Sequence, residues 1–146
     1  MLGAPTLDAG VQASLTRNDL ALGTHSITAR YAGDAGFAAS TSAAKVETIT
    51  KVQTLTSLVS SLNPSLHGQS VTFTASIAVV PPGTGTPTGT LTFLNGTAVL
   101  GTAPVDGSGQ AHVTTSTLAT GSRAITARYG GDATLGGSLS TVLTET

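Results

Sequence analysis

The sequence predicts an all-β protein whose strands pack as a two-layered sandwich, and three observations support this prediction. Val, Leu, Ile and Thr recur with a period of two along short runs, which is the pattern of half-buried strands. Turn-forming residues separate these runs, and no helical period competes with them. One long phrase also occurs twice, as GTHSITARYAGDAGFAAS and as GSRAITARYGGDATLGGS, which indicates repeated modules.

The repeat predicts how the chain is divided into domains. The two copies of the phrase begin at Gly23 and Gly121, so the period is about 100 residues, the size of one small domain. Residues 1–48 match the second half of the repeat, whereas the first half occurs only once. We therefore expect a tandem arrangement, with one partial domain over residues 1–48 and one complete domain over residues 49–146.

The composition excludes several classes of protein. Charged residues make up 9% of the chain, against about 25% in ordinary soluble domains, and the net charge is −1. Such a chain is expected to bind neither nucleic acid nor an anionic membrane surface. Its hydrophobic fraction of 39% is high enough to favour a folded domain over disorder.

Cysteine is absent, and no apolar run reaches the roughly 18 residues that a membrane-spanning helix needs. Stability must therefore come from packing, without disulfides or thiolate metal sites. The first ten residues resemble no secretion signal, so a secreted precursor would carry its signal upstream.

The alternation predicts seven strands within residues 49–146. Asn95 and Gly96 are predicted to form the centre of a type I′ hairpin turn, and Asp106 with Gly107 gives a second turn signal. The predicted strands are Thr54 to Leu62, Val71 to Val79, a third through Leu91 and Phe93, a fourth from Ala98 to Leu100, a fifth through Ala111, Val113 and Leu118, a sixth through Ile125, Ala127 and Tyr129, and a seventh from Ser138 to Thr144.

Seven short strands in about 95 residues match an immunoglobulin-like β-sandwich. Phe73, Phe93 and Ile125 are expected to lie in its core. In the partial domain, the counterparts of the fifth, sixth and seventh strands are predicted at Ala13 and Leu15, at Ile27, Ala29 and Tyr31, and from about Ser40 to Thr48.

Three segments together resemble a known family. NPSLHGQSVTFTAS, PTGTLTFLNG and STLATGSRAITARYGGD, which begin at Asn63, Pro87 and Ser116, are similar to bacterial Ig-like repeat domains of large surface and secreted proteins. The resemblance implies a sandwich used as a stalk, spacer or adhesive module outside the cell, without a catalytic site.

The resemblance also has implications for one corner of each domain. In antibody domains a tyrosine lies two residues before the buried cysteine of the sixth strand and bonds back to the preceding corner. Here Ile27 and Ile125 would take the place of the cysteine, which puts His25 and Arg123 at the corner. Because the disulfide and the core tryptophan are both missing, the likeness is to the bacterial branch.

The three histidines, His25, His67 and His112, form no recognisable site. A metal centre needs several converging ligands, and no paired His or carboxylate spacing is present. No nucleophile elbow or phosphate-binding glycine loop occurs either. The sequence therefore predicts no enzyme activity, no catalytic residue, no cofactor and no metal site.

Asp34 and Asp132 recur at the period, each in the phrase Tyr-x-Gly-Asp. One interpretation is an Asx-type turn, in which the carboxylate accepts backbone N–H bonds after the sixth strand. The alternative is a weak calcium site, although the few scattered acidic residues argue against a dedicated one.

Four basic residues are candidates for parts of a site, and none is expected to form one. Lys45 and Lys51 flank the domain junction and are expected to be exposed, which argues against an isopeptide cross-link. Arg30 and Arg128 should point outward as solvated groups or as cross-strand partners of Thr.

The partial domain leaves one apolar face without its opposite sheet, and so small a sheet is marginal alone. Either the chain is a fragment of a longer array, which we favour, or strands from a neighbouring chain complete the sheet and build an oligomer or fibre. The leading expectation is a structural spacer of a surface or secreted protein whose partners are neighbouring Ig-like repeats. The alternatives are a self-assembling fibre subunit and a module that binds glycans or host proteins through its loops.

Overall fold

The computed structural model describes residues 1–146 and contains twelve strands and no helix. The chain divides into two compact units, unit 1 over Met1–Thr50 and unit 2 over Lys51–Thr146, which are described separately. No helix is present that could cross a membrane. The strands are β1 (Gly23–Ile27), β2 (Arg30–Tyr31), β3 (Ser40–Thr41), β4 (Lys45–Ile49), β5 (Thr54–Ser60), β6 (Val71–Val79), β7 (Thr90–Asn95), β8 (Ala98–Pro104), β9 (Gln110–Thr115), β10 (Arg123–Tyr129), β11 (Ser138–Leu139) and β12 (Leu143–Glu145).

Unit 2 contains two antiparallel sheets. One has the order β11-β10-β7-β8, with β12 also paired to β10, and the other has the order β5-β6-β9. The registers place Ala127 opposite Phe93 in the first sheet and Phe73 opposite Val113 in the second. The predicted all-β, immunoglobulin-like sandwich is thereby confirmed.

The core of unit 2 is formed by the inward faces of both sheets. Phe73, Phe93 and Ile125 are each fully buried, as predicted from the alternation. The remaining buried apolar side chains are Val71, Ala75, Ile77, Leu91, Ala111, Ala127, Tyr129 and Leu135. Burying side chains of this size supplies the apolar contribution that stabilises the unit in the absence of disulfides.

Strand β5 presents Thr54, Thr56 and the half-buried Leu58 to the interior, and Leu55 and Val59 to solvent. Thr54 and Thr56 are buried, whereas Leu55 is 65% exposed. The inward placement is stabilised because both threonine hydroxyls bond to the Ser138 hydroxyl, at 2.8 and 2.7 Å. Buried hydroxyls that find partners in this way avoid the cost of desolvation without a hydrogen bond.

Several details of unit 2 differ from the sequence predictions. Strand β5 ends at Ser60 instead of Leu62, and β8 continues to Pro104 instead of ending at Leu100. The last strand is split into β11 and β12, because the Ser140 hydroxyl replaces a backbone carbonyl as acceptor for the Ala127 N–H. Leu118 lies beyond the end of β9 rather than on it. The hairpin after β7 is centred on Gly96 and Thr97, because only Gly96 has a positive φ, of 60°, whereas Asn95 still pairs in the ladder.

Unit 1 contains two separate ribbons, β1 paired with β4 and β2 paired with β3. The predicted counterpart of the fifth strand, at Ala13 and Leu15, was wrong, since no strand forms there. In unit 2 the equivalent strand β9 is paired to β6, and residues 1–50 hold no counterpart of β6. The predicted sixth and seventh strands are also broken. The sixth is divided into β1 and β2, with Ala29 on neither, and the seventh is divided into β3 and β4. No side chain of unit 1 is buried.

Candidate functional site

The corner after β10 is organised around Asp132. Its Oδ1 accepts hydrogen bonds from the backbone N–H groups of Thr134 and Leu135, at 2.9 and 2.8 Å. Its Oδ2 accepts from the Tyr129 hydroxyl and from both the N–H and the hydroxyl of Thr88, each at 3.1 Å. Thr88 lies two residues before the start of β7, so this carboxylate connects the corner after β10 to the segment that leads into the neighbouring strand.

The electrostatics of the corner follow from these bonds. The backbone N–H groups of Leu135 and Thr134 hold the pKa of Asp132 well below its usual range. Burial, reinforced by the Asp132 carboxylate, raises the pKa of the Tyr129 hydroxyl. Asp132 is therefore an ionised acceptor and Tyr129 a neutral donor, which also donates to the Thr88 carbonyl at 2.9 Å.

The geometry supports the Asx-turn interpretation of Asp132. Both carboxylate oxygens are occupied by donors of the protein itself. No group of three or more His, Cys, Asp or Glu side chains lies close enough together to hold a metal ion. The arrangement is therefore one that fixes a turn.

Glycine is required immediately before each aspartate. Gly131 has a φ of 81°, and a Cβ there would lie 2.7 Å from the Leu135 carbonyl oxygen. Gly33 has a φ of 84°, and its Cβ would lie 2.8 Å from the Phe37 carbonyl oxygen. A side chain at either position would combine an unfavourable backbone conformation with a steric clash, which explains the Gly-Asp pair.

The matching corner of unit 1 has the same internal bonds but no partner from another strand. Asp34 Oδ1 accepts from the N–H groups of Gly36 and Phe37, at 2.7 and 2.9 Å. Its Oδ2 accepts from the Tyr31 hydroxyl at 2.6 Å. These backbone and hydroxyl bonds lower the pKa of Asp34, with the Tyr31 bond as the largest cause.

The corner that precedes β10 is formed as the family resemblance implied. Arg123 donates from Nε to the Ala119 carbonyl at 3.1 Å and from its guanidinium to the Thr120 carbonyl at 2.6 Å. In unit 1, His25 Nε2 lies 2.7 Å from the Ala21 carbonyl, the equivalent position. Both side chains therefore fix the loop that precedes their strand.

Glu145 is a residue whose burial the sequence did not indicate. It is 1% exposed, and neither carboxylate oxygen has a hydrogen-bond partner in the protein. It lines a cavity of about 230 Å³ between the loop at His67 and the loop at Ala119, together with Arg123. The repeat aligns Glu145 with Glu47, which is more exposed and pairs with Lys45 at 2.9 Å. The same residue type therefore occurs at both positions, and the sequence does not indicate that only Glu145 is buried.

The remaining histidines and basic residues do not form a site. His67 is exposed in the loop after β5, and His112 is exposed on β9. Lys51 is exposed and donates to the Asp132 carbonyl. Arg30 and Arg128 are exposed, and the registers place them opposite Thr41 and Thr92, as expected of cross-strand partners of threonine.

Comparison with protein families identifies the chain. The model of the bacterial Ig-like domain (group 3) matches residues 1–50 and 58–146. The chain belongs to this family. No curated protein and no solved structure matches it. Bacterial Ig-like domains are generally non-catalytic structural modules, and they commonly occur in surface or extracellular proteins.

Proposed function

We propose that this bacterial Ig-like chain is a non-catalytic spacer in a surface or secreted multidomain protein, and that it transmits force between neighbouring repeats outside the cell. The observation that carries the proposal is a parallel seam between the first and last segments of unit 2, which consists of one isolated backbone bridge and of side-chain hydrogen bonds further along. Val52 forms a parallel bridge with Leu135. The Val52 N–H donates to the Thr134 carbonyl at 2.9 Å, and the Gly136 N–H donates to the Val52 carbonyl at 2.8 Å.

The seam continues along β5 to the far end of the unit. In its middle, the Thr54 hydroxyl donates to the Gly136 carbonyl at 2.8 Å and lies within hydrogen-bonding distance of the Ser138 hydroxyl, also at 2.8 Å. At its end, Asn63 Nδ2 donates to the Thr144 carbonyl at 2.7 Å, and Asn63 Oδ1 accepts from the Thr146 N–H at 3.2 Å.

This arrangement suits a module that is pulled through its ends. Because the first and last segments run in the same direction, the chain enters unit 2 at one end of the seam and leaves at the other. A stretching force would load the hydrogen bonds of the seam in shear, so that they break together rather than one at a time. The rate of forced unfolding is then set by the unfolding barrier.

Single-molecule pulling of the whole chain through its two ends tests the proposal. We expect one main force peak for unit 2 and a length gain of roughly 300 Å as its residues extend. Thr54→Val keeps the side-chain shape but removes the seam hydroxyl, and it should lower the peak force.

The matched control is Thr114→Val, which removes a hydroxyl that bonds to Thr72 on the same sheet but outside the seam. This variant should leave the peak force close to that of the parent chain. Equal effects of the two substitutions, or the absence of a distinct peak, would contradict the proposed role.

A further inference from the structure

We propose that Asp106 is a site of spontaneous covalent modification, at which the side chain closes onto the Gly107 nitrogen to form a succinimide that water reopens to isoaspartate. Asp106 is followed by glycine in the sequence, and no other aspartate of the chain is. The site lies in the turn between β8 and β9, away from the seam of unit 2. The inference therefore does not depend on the proposed spacer function.

The reaction has two steps, and water is the only small molecule that leaves or enters. In the first step the Gly107 backbone nitrogen attacks Cγ of the protonated Asp106 carboxyl group. A C–N bond forms, the bond from Cγ to the protonated oxygen breaks, and that oxygen leaves as water with the proton of the N–H. In the second step water attacks one of the two ring carbonyls. Opening at the side-chain carbonyl restores aspartate, whereas opening at the main-chain carbonyl gives isoaspartate.

The hydrogen bonds of Asp106 hold its carboxyl group over the turn. Oδ1 accepts from the N–H and the hydroxyl of Ser108, at 2.8 and 2.7 Å, and from the Gln110 N–H at 2.9 Å. These three donors stabilise the negative charge that grows on Oδ1 when the nitrogen attacks Cγ. The bonds all converge on Oδ1, which leaves Oδ2 as the oxygen that takes up the proton and departs.

The Gly107 nitrogen is accessible for this attack. The backbone bonds of the turn run from the Asp106 N–H to the Gln110 carbonyl and from the Gly109 N–H to the Asp106 carbonyl, so they do not engage the Gly107 N–H. Gly107 is exposed, and a Cβ built on it would meet no atom within 4 Å. The space beside the nitrogen is therefore open, and the missing side chain removes the main steric obstacle to ring closure.

The fold protects a second pair that would otherwise react faster. Asn95 and Gly96 can form the same ring with loss of ammonia, and the uncharged amide needs no prior protonation. However, the Gly96 N–H donates to the Ala124 carbonyl at 2.8 Å, and Asn95 is paired with Ile125 on one side and Ala98 on the other. Ring closure would have to break this part of the ladder first. The folded chain is therefore expected to react at Asp106 and not at Asn95.

Unit 1 contains the same turn with alanine in place of the glycine. Asp8 Oδ1 accepts from the N–H groups of Gly10 and Gln12, at 2.8 and 2.9 Å, as Asp106 Oδ1 does from the equivalent residues. The residue that follows Asp8 is Ala9, whose Cβ hinders attack by its nitrogen. Asp8 is thus a reference within the same chain for the effect of the glycine.

The rate at Asp106 should depend on pH. The bonds to Oδ1 lower the pKa of Asp106, with the Ser108 hydroxyl as the largest cause and a smaller contribution from the charge of His112 on β9. A carboxylate cannot lose water, whereas the protonated acid can. Ring closure is therefore expected to be faster at pH 5 than at pH 8.

Peptide mapping by mass spectrometry of the whole chain, sampled over time at pH 5, tests the site. We expect isoaspartate and succinimide at Asp106 to accumulate at least about tenfold faster than at Asp8. Gly107→Ala, which the open space tolerates, should reduce the rate at Asp106 to that at Asp8. Deamidation of Asn95 should be at least about tenfold slower in the folded chain than in the same chain unfolded in urea.

Asp106→Asn provides a second variant, because its amide closes the same ring without protonation. It should react faster than the parent chain at pH 8 and release ammonia. Equal rates at Asp106 and Asp8 in the parent chain would overturn the proposal, and this comparison does not require any variant to fold. An unchanged rate at Asp106 in a folded Gly107→Ala variant, or deamidation of Asn95 that is as fast folded as in urea, would also overturn it.

Discussion

At the scale of single residues, the two ITARY segments show that burial is set by distant partners and not by local sequence. Ile125 and Tyr129 are 0% and 1% exposed, because β7 and the β5-β6-β9 sheet surround them. Ile27 and Tyr31 remain only half-buried in unit 1, although their neighbours along the chain are the same. The same side chain therefore contributes very differently to stability in the two units.

Asp132→Ala should lower the free energy of unfolding of unit 2 by about 1–3 kcal/mol at pH 7, because it removes the acceptor of the partly buried Leu135 N–H and of the hydrogen bonds that join Thr88 to the corner. The pKa of Asp132 is lowered in the folded state, so its contribution is fully present above the unfolded value of about 4. That contribution is lost as the pH falls toward the folded pKa. Urea denaturation at pH 7 and pH 3 measures both effects.

The control for this prediction is Asp34→Ala, which removes the equivalent carboxylate from unit 1. It should leave the unfolding of unit 2 unchanged at both pH values. The parent chain should lose more stability between pH 7 and pH 3 than the Asp132→Ala variant does. If the two lose the same amount, Asp132 is not the group that carries the acid sensitivity.

Glu145→Gln should raise the free energy of unfolding of unit 2 at pH 7, because a neutral amide costs less to bury than a carboxylate that has no hydrogen-bond partner in the protein. The side-chain shape is preserved, so packing around it is unaffected. Chemical denaturation of both proteins in parallel checks this. A loss of stability would contradict the prediction and would show that the carboxylate is paired, with Arg123 opposite it in the register as the nearest basic candidate.

At the scale of elements, β6 shows why some strands can be predicted to the residue. Its apolar residues alternate without interruption and lie in the centre of a sheet between β5 and β9, so local pattern and tertiary environment agree. The predicted bounds, Val71 to Val79, are those observed. Strand β5 lies at a sheet edge and packs on a polar seam, and its inward threonines could not be told from outward ones by hydrophobicity alone.

Phe73→Ala should lower the free energy of unfolding of unit 2 by about 3–5 kcal/mol, because it opens a cavity at a fully buried position. Phe37→Ala is the matched control, since Phe37 is 72% exposed and should cost little. Equilibrium denaturation measures both variants. A small loss for Phe73→Ala would show that the inward face of β6 is misassigned.

The candidate sites could be predicted only in part. The repeated Tyr-x-Gly-Asp phrase located Asp34 and Asp132, because a turn of this kind is encoded within a few residues. The bonds from Thr88 to Asp132 and the burial of Glu145 depend on residues far apart in the chain. The split of the last strand at Ser140 depends on a side chain that substitutes for the backbone, which a pattern of hydrophobicity does not register.

At the scale of the whole molecule, the two units differ in what covers the strands of the repeated phrase, which are β1 to β4 in unit 1 and β10 to β12 in unit 2. Unit 2 has both sheets and a buried core, whereas unit 1 has two ribbons and no buried side chain. Two-stranded ribbons are marginally stable in water. We therefore expect unit 1 to open locally at a much lower free energy than unit 2, with the two ITARY segments as internal reporters.

Amide hydrogen exchange of the free chain, followed at residues 27–31 and 125–129 in one sample, tests this account most directly. The two segments have the same sequence, so their intrinsic exchange rates are closely matched. The account predicts protection at residues 125–129 by several orders of magnitude and little protection at residues 27–31. Equal, strong protection of both segments would contradict it, because unit 1 would then possess a covering sheet of its own.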